Sequence, residues 1–107
     1  MNYQTRIAVR AVRFLDTFAH VHDPLRLFNT INVTCCGADA RDILSVFLSM
    51  APDDHVKRFA SLYMMTMFRQ DLELVAYMLK RLIHHKRVIL ADQLMRTMWS
   101  GYVFEYE

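Results

Sequence analysis

Asp71 to His85, DLELVAYMLKRLIHH, is the most persistently helical and most apolar stretch of the chain, and its reading decides the fold. Leu72, Val75, Leu79 and Leu82 recur at spacings of three and four, and Leu74, Met78 and Ile83 widen the stripe beyond the usual third of a helix surface. A helix with that surface is expected to be buried on nearly all sides. Asp71 and Glu73 stand at its start, and Lys80, Arg81, Lys86 and Arg87 at and beyond its end, which is the order of charge the helix dipole favours. The stretch therefore reads as the apolar central helix, over 71–85, of a compact all-α bundle of about five or six helices.

Composition points the same way. The 107 residues, 1–107, are expected to form a single helical domain. Two glycines and two prolines leave the turns of an all-β fold unsupplied. Hydrophobic residues make up 54% of the chain, against a usual share somewhat under about 50%. Eight methionines, seven phenylalanines, five tyrosines and one tryptophan carry that excess, which is more than a monomer of this size easily hides. Self-association, as a homodimer, is the expected outlet.

Outward from 71–85, the chain divides into helices on each side. Ile7, Ala11, Phe14, Phe18 and Val21 keep a four-three-four-three spacing that predicts a helix over Thr5 to His22, with Arg6, Arg10 and Arg13 on another face. That arginine edge also suits a transit peptide or a membrane-surface helix, but an amphipathic first helix with a solvated basic edge accounts for it more simply. Asp23-Pro24 reads as an N-cap followed by proline at the first helical position, opening a short helix through about Ile31. Val33-Thr34-Cys35-Cys36 is poor helix sequence, and Gly37 supplies a break. Asp39 caps a third helix bearing Ile43, Leu44, Phe47, Leu48 and Ala51, which Pro52 ends. Asp53 and Asp54 start a fourth, with Val56, Ala60, Tyr63 and Met67 inward and Phe59 and Met64 beside them.

Between Pro52 and Gly101 no proline or glycine marks a boundary. Breaks are expected near Arg69 to Asp71 and near His85 to Arg87, with fusion of the fourth and fifth helices as the alternative to the first. A last helix, about Val88 to Trp99, should bury Leu90, Ala91, Leu94, Met95 and Met98 and stop at Gly101. In the tail the period changes to two, so Tyr102, Phe104 and Tyr106 would share one side of a short extended segment.

Sites of chemistry are not apparent. His20 with His22, His84 with His85, and Cys35 with Cys36 lack zinc-binding spacings, and adjacent histidines on a helix point about 100° apart. Cys36 before a helix start would have a lowered thiol pKa, but no oriented base accompanies it, and an inert cysteine is the simpler reading. Gly37 and Gly101 stand alone, so no phosphate-cradling loop exists. Serines 45, 49, 61 and 100 sit in no nucleophile elbow. No catalytic, cofactor-binding or metal-binding residue is nominated, and no enzyme activity is expected. Trp99-Ser100-Gly101 falls short of the Asn-Trp-Gly-Arg signature of one known class of helical bundle, and no motif identifies a family.

The strongest polar signal is the run Lys80, Arg81, His84, His85, Lys86, Arg87. Cations at a helix end answer the dipole; they also suit phosphates or an acidic protein. Together with Tyr102, Phe104 and Tyr106, the residues Lys80, Arg81, His84, Lys86 and Arg87 are the candidate partner-binding set. The leading expectation is a non-enzymatic protein–protein interaction module that self-associates and holds a protein partner through a Met-rich and aromatic apolar surface. The alternative is a nucleic-acid-binding or other anion-binding module using 80–87. A net charge of +2 and a pI near 8.7 are too weakly basic to favour nucleic acid on their own. No uncharged stretch, 43–52 and 59–68 included, reaches the roughly 18 residues of a membrane span, and no signal-peptide pattern opens the chain. With one adjacent cysteine pair and no disulfide framework, a reducing intracellular compartment is expected, cytoplasm or nucleus.

Overall fold

The computed structural model describes residues 2–66 and 72–103, with side chains over 2–63 and 73–96. Among these residues there are six helices and no strand: α1 (Tyr3–His20), α2 (Pro24–Cys36), α3 (Ala40–Met50), α4 (Asp53–Thr66), α5 (Leu72–His84) and α6 (Val88–Val103). The all-α bundle read from the sequence is the fold. Its Cα radius of gyration of 13.6 Å is close to the ~13 Å of a compact chain of about this length.

Helix α1 begins where the Asn2 side chain accepts a hydrogen bond from the Thr5 amide at 2.8 Å, and it buries Ile7, Ala11, Phe14 and Phe18 as their spacing predicts. Asp23 accepts from the Leu25 amide at 3.1 Å and Pro24 occupies the first turn of α2. That helix runs on to Cys36, past the expected end at Ile31. Leu27, Ile31 and Cys35 form one buried row at four-residue intervals, so the extra turn sets Cys35 into the core. That burial outweighs the few tenths of a kcal/mol that each of Val33, Thr34 and Cys35 costs in helix propensity. Cys36 therefore lies exposed at a helix C-terminus, the wrong end for a dipole-activated thiolate.

Helix α3 packs against α1, α2 and α5, and α4 packs against α1, α2 and α6. Phe14, Phe18, Phe47 and Phe59 from α1, α3 and α4 meet with ring centroids 4.9 to 6.0 Å apart, mostly edge to face. Tyr63 stacks on Phe59 at 5.9 Å. Around this cluster Leu44, Leu48, Val56, Leu82 and Leu90 close the core.

Helix α5 is apolar, but it is not covered on nearly all sides. Leu74, Val75, Met78 and Leu82 are buried and Leu79 is half-buried, while Ile83 is 54% exposed and α5 packs against α3 and α6. Its end matches the expected break at His85 to Arg87. The Arg87 amide donates to the Leu82 carbonyl and the Lys86 amide to that of Ile83, with Lys86 left-handed at φ 62°. This is a Schellman turn with lysine where glycine is usual. The turn between α4 and α5, the cap expected at Asp71 and the inner face expected at Met67 lie outside the described residues, as do the side chains of Met64 and Leu72.

Helix α6 buries Leu90, Ala91 and Leu94. Met95, expected inside, is 41% exposed, and the Met98 side chain lies outside the description. The helix continues through Gly101 to Val103, so the extended reading of the tail is corrected at Tyr102 and Val103. A helical glycine costs about 1 kcal/mol relative to alanine, and with no proline behind it Gly101 is too weak a signal to stop the helix. Phe104 and Tyr106 lie outside the described residues.

Candidate functional site

The basic run at the end of α5 separates into residues the fold uses and residues it leaves to solvent. Helix α5 lies along α3 through a polar seam. Tyr77 Oη donates to the Arg41 carbonyl at 2.9 Å, one turn on Arg81 Nε donates to Ser45 Oγ at 2.9 Å, and one further turn on His85 Nε2 lies 3.1 Å from the Ser45 carbonyl. A carbonyl can only accept, so Nε2 of His85 carries the proton. Desolvation pushes the His85 pKa down, and the Arg81 guanidinium adds to the effect.

At the foot of the seam Arg87 Nη1 donates to the Leu48 carbonyl at 2.7 Å and Nη2 meets Asp53 at 2.5 Å. Leu48 is in the last turn of α3 and Asp53 in the first turn of α4, so one guanidinium satisfies an orphan carbonyl and an acidic helix start together. Arg58 closes the end of α1 with carbonyls alone, donating to those of Phe18 at 3.1 Å and Val21 at 2.8 Å. A chain almost without glycine thus uses arginine to finish its helices. Of the candidate set, Arg81 and Arg87 are turned inward, whereas Lys80, His84 and Lys86 are exposed. The backbone of Tyr102 lies in α6, 16 residues long, far along the helix from this corner.

What accompanies the exposed cations is apolar. Ile83 is 54% exposed beside Lys80 and His84, and across the short turn Val88 and Ile89 are exposed by 56% and 77%. Met95 continues the Val88 side of α6 two turns on. Sequence reasoning placed Ile83 and Met95 in the core and so missed this surface. A signal was present in the spacing: Val88, Asp92, Met95, Trp99 and Tyr102 form a second four-three-four-three row on α6, distinct from the buried Leu90, Ala91 and Leu94.

The arginines of α1 are also partly used. Arg10 pairs with Asp39 at 2.9 Å and Arg6 stands 3.8 Å from the same carboxylate. Tyr3 Oη donates to Asp42, which pushes the phenol pKa up to about 12. This cluster ties the start of α1 to the start of α3. The first helix is thus an integral part of the bundle, with Arg6 and Arg10 of its basic edge answered by Asp39.

Among the described residues no three His, Cys, Asp or Glu side chains come together to hold a metal, and no helix is long and apolar enough to cross a membrane. His20 pairs with Asp16 at 3.2 Å. A void of about 10 Å³ lies among Leu48, Phe59, Tyr63, Met78, Leu82 and Leu94, room for about one water and no more. No protein-family model matches the chain, and neither a curated protein nor a solved structure matches it.

Proposed function

We propose that this protein is a non-enzymatic helical interaction module that self-associates and engages a protein partner through the apolar corner where α5 meets α6. The observation that carries the reading is the exposure of Ile83, Val88, Ile89 and Met95 within one short stretch of an otherwise well-packed bundle, rimmed by Lys80, His84 and Lys86. Such a mixture, an apolar centre with a charged rim, is the anatomy of a protein interface. Leu25 and Val33 on α2 are exposed as well, at 67% and 73%, but no cation cluster accompanies them. A reducing intracellular compartment suits a chain whose exposed thiol, Cys36, follows the buried Cys35.

The rival reading, a nucleic-acid-binding module, needs the full basic run. It keeps Lys80, His84 and Lys86 but gives Arg81 and Arg87 to α3 and α4. Sedimentation over a concentration series, at low and high salt, separates the two. The proposal expects self-association that salt barely changes. A protein that stays monomeric at every concentration and binds nucleic acid with an affinity falling steeply with salt overturns it.

A further inference from the structure

We infer that the partner taken at the α5–α6 corner is an acidic amphipathic helix of another protein, its apolar face on Ile83 and two carboxylates, one turn apart, over Lys80 and His84. The inference rests on the partner-binding reading above and names the chemistry of that partner.

The layout of α5 carries it. Leu79 lines the interior void together with Leu94, so its side of α5 faces α6. Counted round the helix from Leu79 at ~100° per residue, Ile83 lies about 40° away, Ala76 about 60°, Lys80 about 100° and His84 about 140°. Tyr77, at about 160°, and Arg81, at about 200°, already reach α3. Between α6 and α3 the helix therefore shows solvent a ridge whose apolar edge, Ile83 and Ala76, passes into a cationic one, Lys80 and His84. The turn that follows adds Lys86 and Val88, both exposed.

Charge selects the occupant. Among the described residues no acid pairs with Lys80, His84 or Lys86. Glu73 and Asp92, the acids of α5 and α6, stand beside Arg41 at 3.9 Å and Arg96 at 3.0 Å, and Asp53 is taken by Arg87. A second copy brings the same cations and the same engaged acids, so it covers the apolar edge without answering the charge. Nucleic acid answers the charge and leaves the apolar edge in water. An acidic amphipathic helix does both. Lys80 and His84 stand about 6 Å apart along α5, the interval of two acids at i and i+4 on a facing helix.

An anionic bilayer also offers charge and apolar depth, and Glu73 argues against it. That side chain is 88% exposed and lies at about 120° on the same ridge, two turns before Lys80. A flat negative surface meeting the ridge presses on Glu73 as well. A helix can set its acids over the 80–84 end alone.

A labelled synthetic peptide tests the pairing. The probe is a helix of about 16 residues with leucine along one face and glutamate along one flank, and its twin carries lysine for every glutamate. In fluorescence anisotropy the glutamate peptide should bind about tenfold or more tightly than the twin, and added salt should narrow the gap. Lys80→Glu should reverse the preference, and Ile83→Gln should weaken the glutamate peptide. Val33→Gln, at an exposed apolar position on α2, should change neither. Circular dichroism checks that each variant keeps its helices. Equal affinity for the two peptides, lowered alike by Ile83→Gln, overturns the acidic partner and leaves the corner as an interaction surface. A chain that ignores the glutamate peptide but binds phosphatidylserine vesicles through Lys80 has a membrane surface as its occupant, and the inference is wrong. If neither peptide binds, the inference fails, and the sedimentation series decides separately whether self-association stands.

Discussion

Arg87 donates to the carbonyl of Leu48, 39 residues back along the chain, at 2.7 Å, and the same guanidinium reaches Asp53. The end of α3, the start of α4 and the turn into α6 therefore meet at one side chain that is 18% exposed. Surface cations can be exchanged almost freely, but this one cannot. Arg87→Met keeps the apolar stem and leaves the Leu48 carbonyl without its donor, so it should cost about 1–3 kcal/mol. Lys80→Gln, on the same run but exposed, should stay within about 0.5 kcal/mol. Urea denaturation of both variants reads the difference; equal small losses would show that water replaces the guanidinium at no cost. A variant with Lys80, Arg81, Lys86 and Arg87 all changed to Gln should accordingly lose some stability through Arg81 and Arg87.

Lys86 holds φ 62°, a region that costs an L-residue roughly 1–2 kcal/mol and glycine almost nothing. Its side chain is exposed and the two turn hydrogen bonds are made by the backbone amides of Lys86 and Arg87. Lys86→Gly should therefore stabilise the fold, by about 0.5–1 kcal/mol after the added freedom of the unfolded chain is subtracted. Lys86→Val, with a branch at Cβ, should destabilise it. A denaturation midpoint that moves the same way for both would argue against strain at this turn.

Leu82 is fully buried between α3, α4 and α6, and Leu79 is half-buried at the edge of the same void. Leu82→Ala should cost about 2–5 kcal/mol, the range for a core truncation that leaves a cavity. Leu79→Ala, on the same apolar stripe, should cost distinctly less because solvent already reaches the position. Chemical denaturation that ranked Leu79 above Leu82 would mean that α5 is rotated from the orientation described.

What local rules govern was legible in the residues. Ile7, Ala11, Phe14 and Phe18 needed only their spacing, Asp23-Pro24 only its cap chemistry, and Pro52 only its missing amide. What distant contacts decide was not. Cys35 is helical because α2 can bury it, a fact about the space between helices. Nothing in the sequence marks Arg58 and Arg87 as helix-closing residues, because the carbonyls they satisfy lie 37 to 40 residues away. Ile83 and Met95 belong by pattern to broad apolar stripes, and only the packing of α5 and α6 shows which edge of each stripe is left outside. The candidate surface was thus half legible: its cations were visible, and its apolar centre was hidden among residues that looked like core.

His85 should make stability depend on pH in one particular window. Its Nε2 proton sits on the Ser45 carbonyl, and desolvation together with Arg81, and to a smaller extent His84 and Arg87, disfavours a second proton. In the folded protein its pKa therefore lies below the unfolded value of about 6.5. Between the two values the unfolded chain binds more protons than the folded one, so stability falls as pH falls. The contribution is complete above about 6.5, declines as acid is added, and has gone once pH passes below the folded value. His85→Gln retains a donor for Ser45 and does not titrate, so its stability should change less than that of the parent between about pH 7 and pH 5. The measurement is a set of denaturation midpoints for both proteins across that range. Parallel curves would show that protonated His85 is tolerated in the seam and that the proximity of Arg81 carries no electrostatic cost.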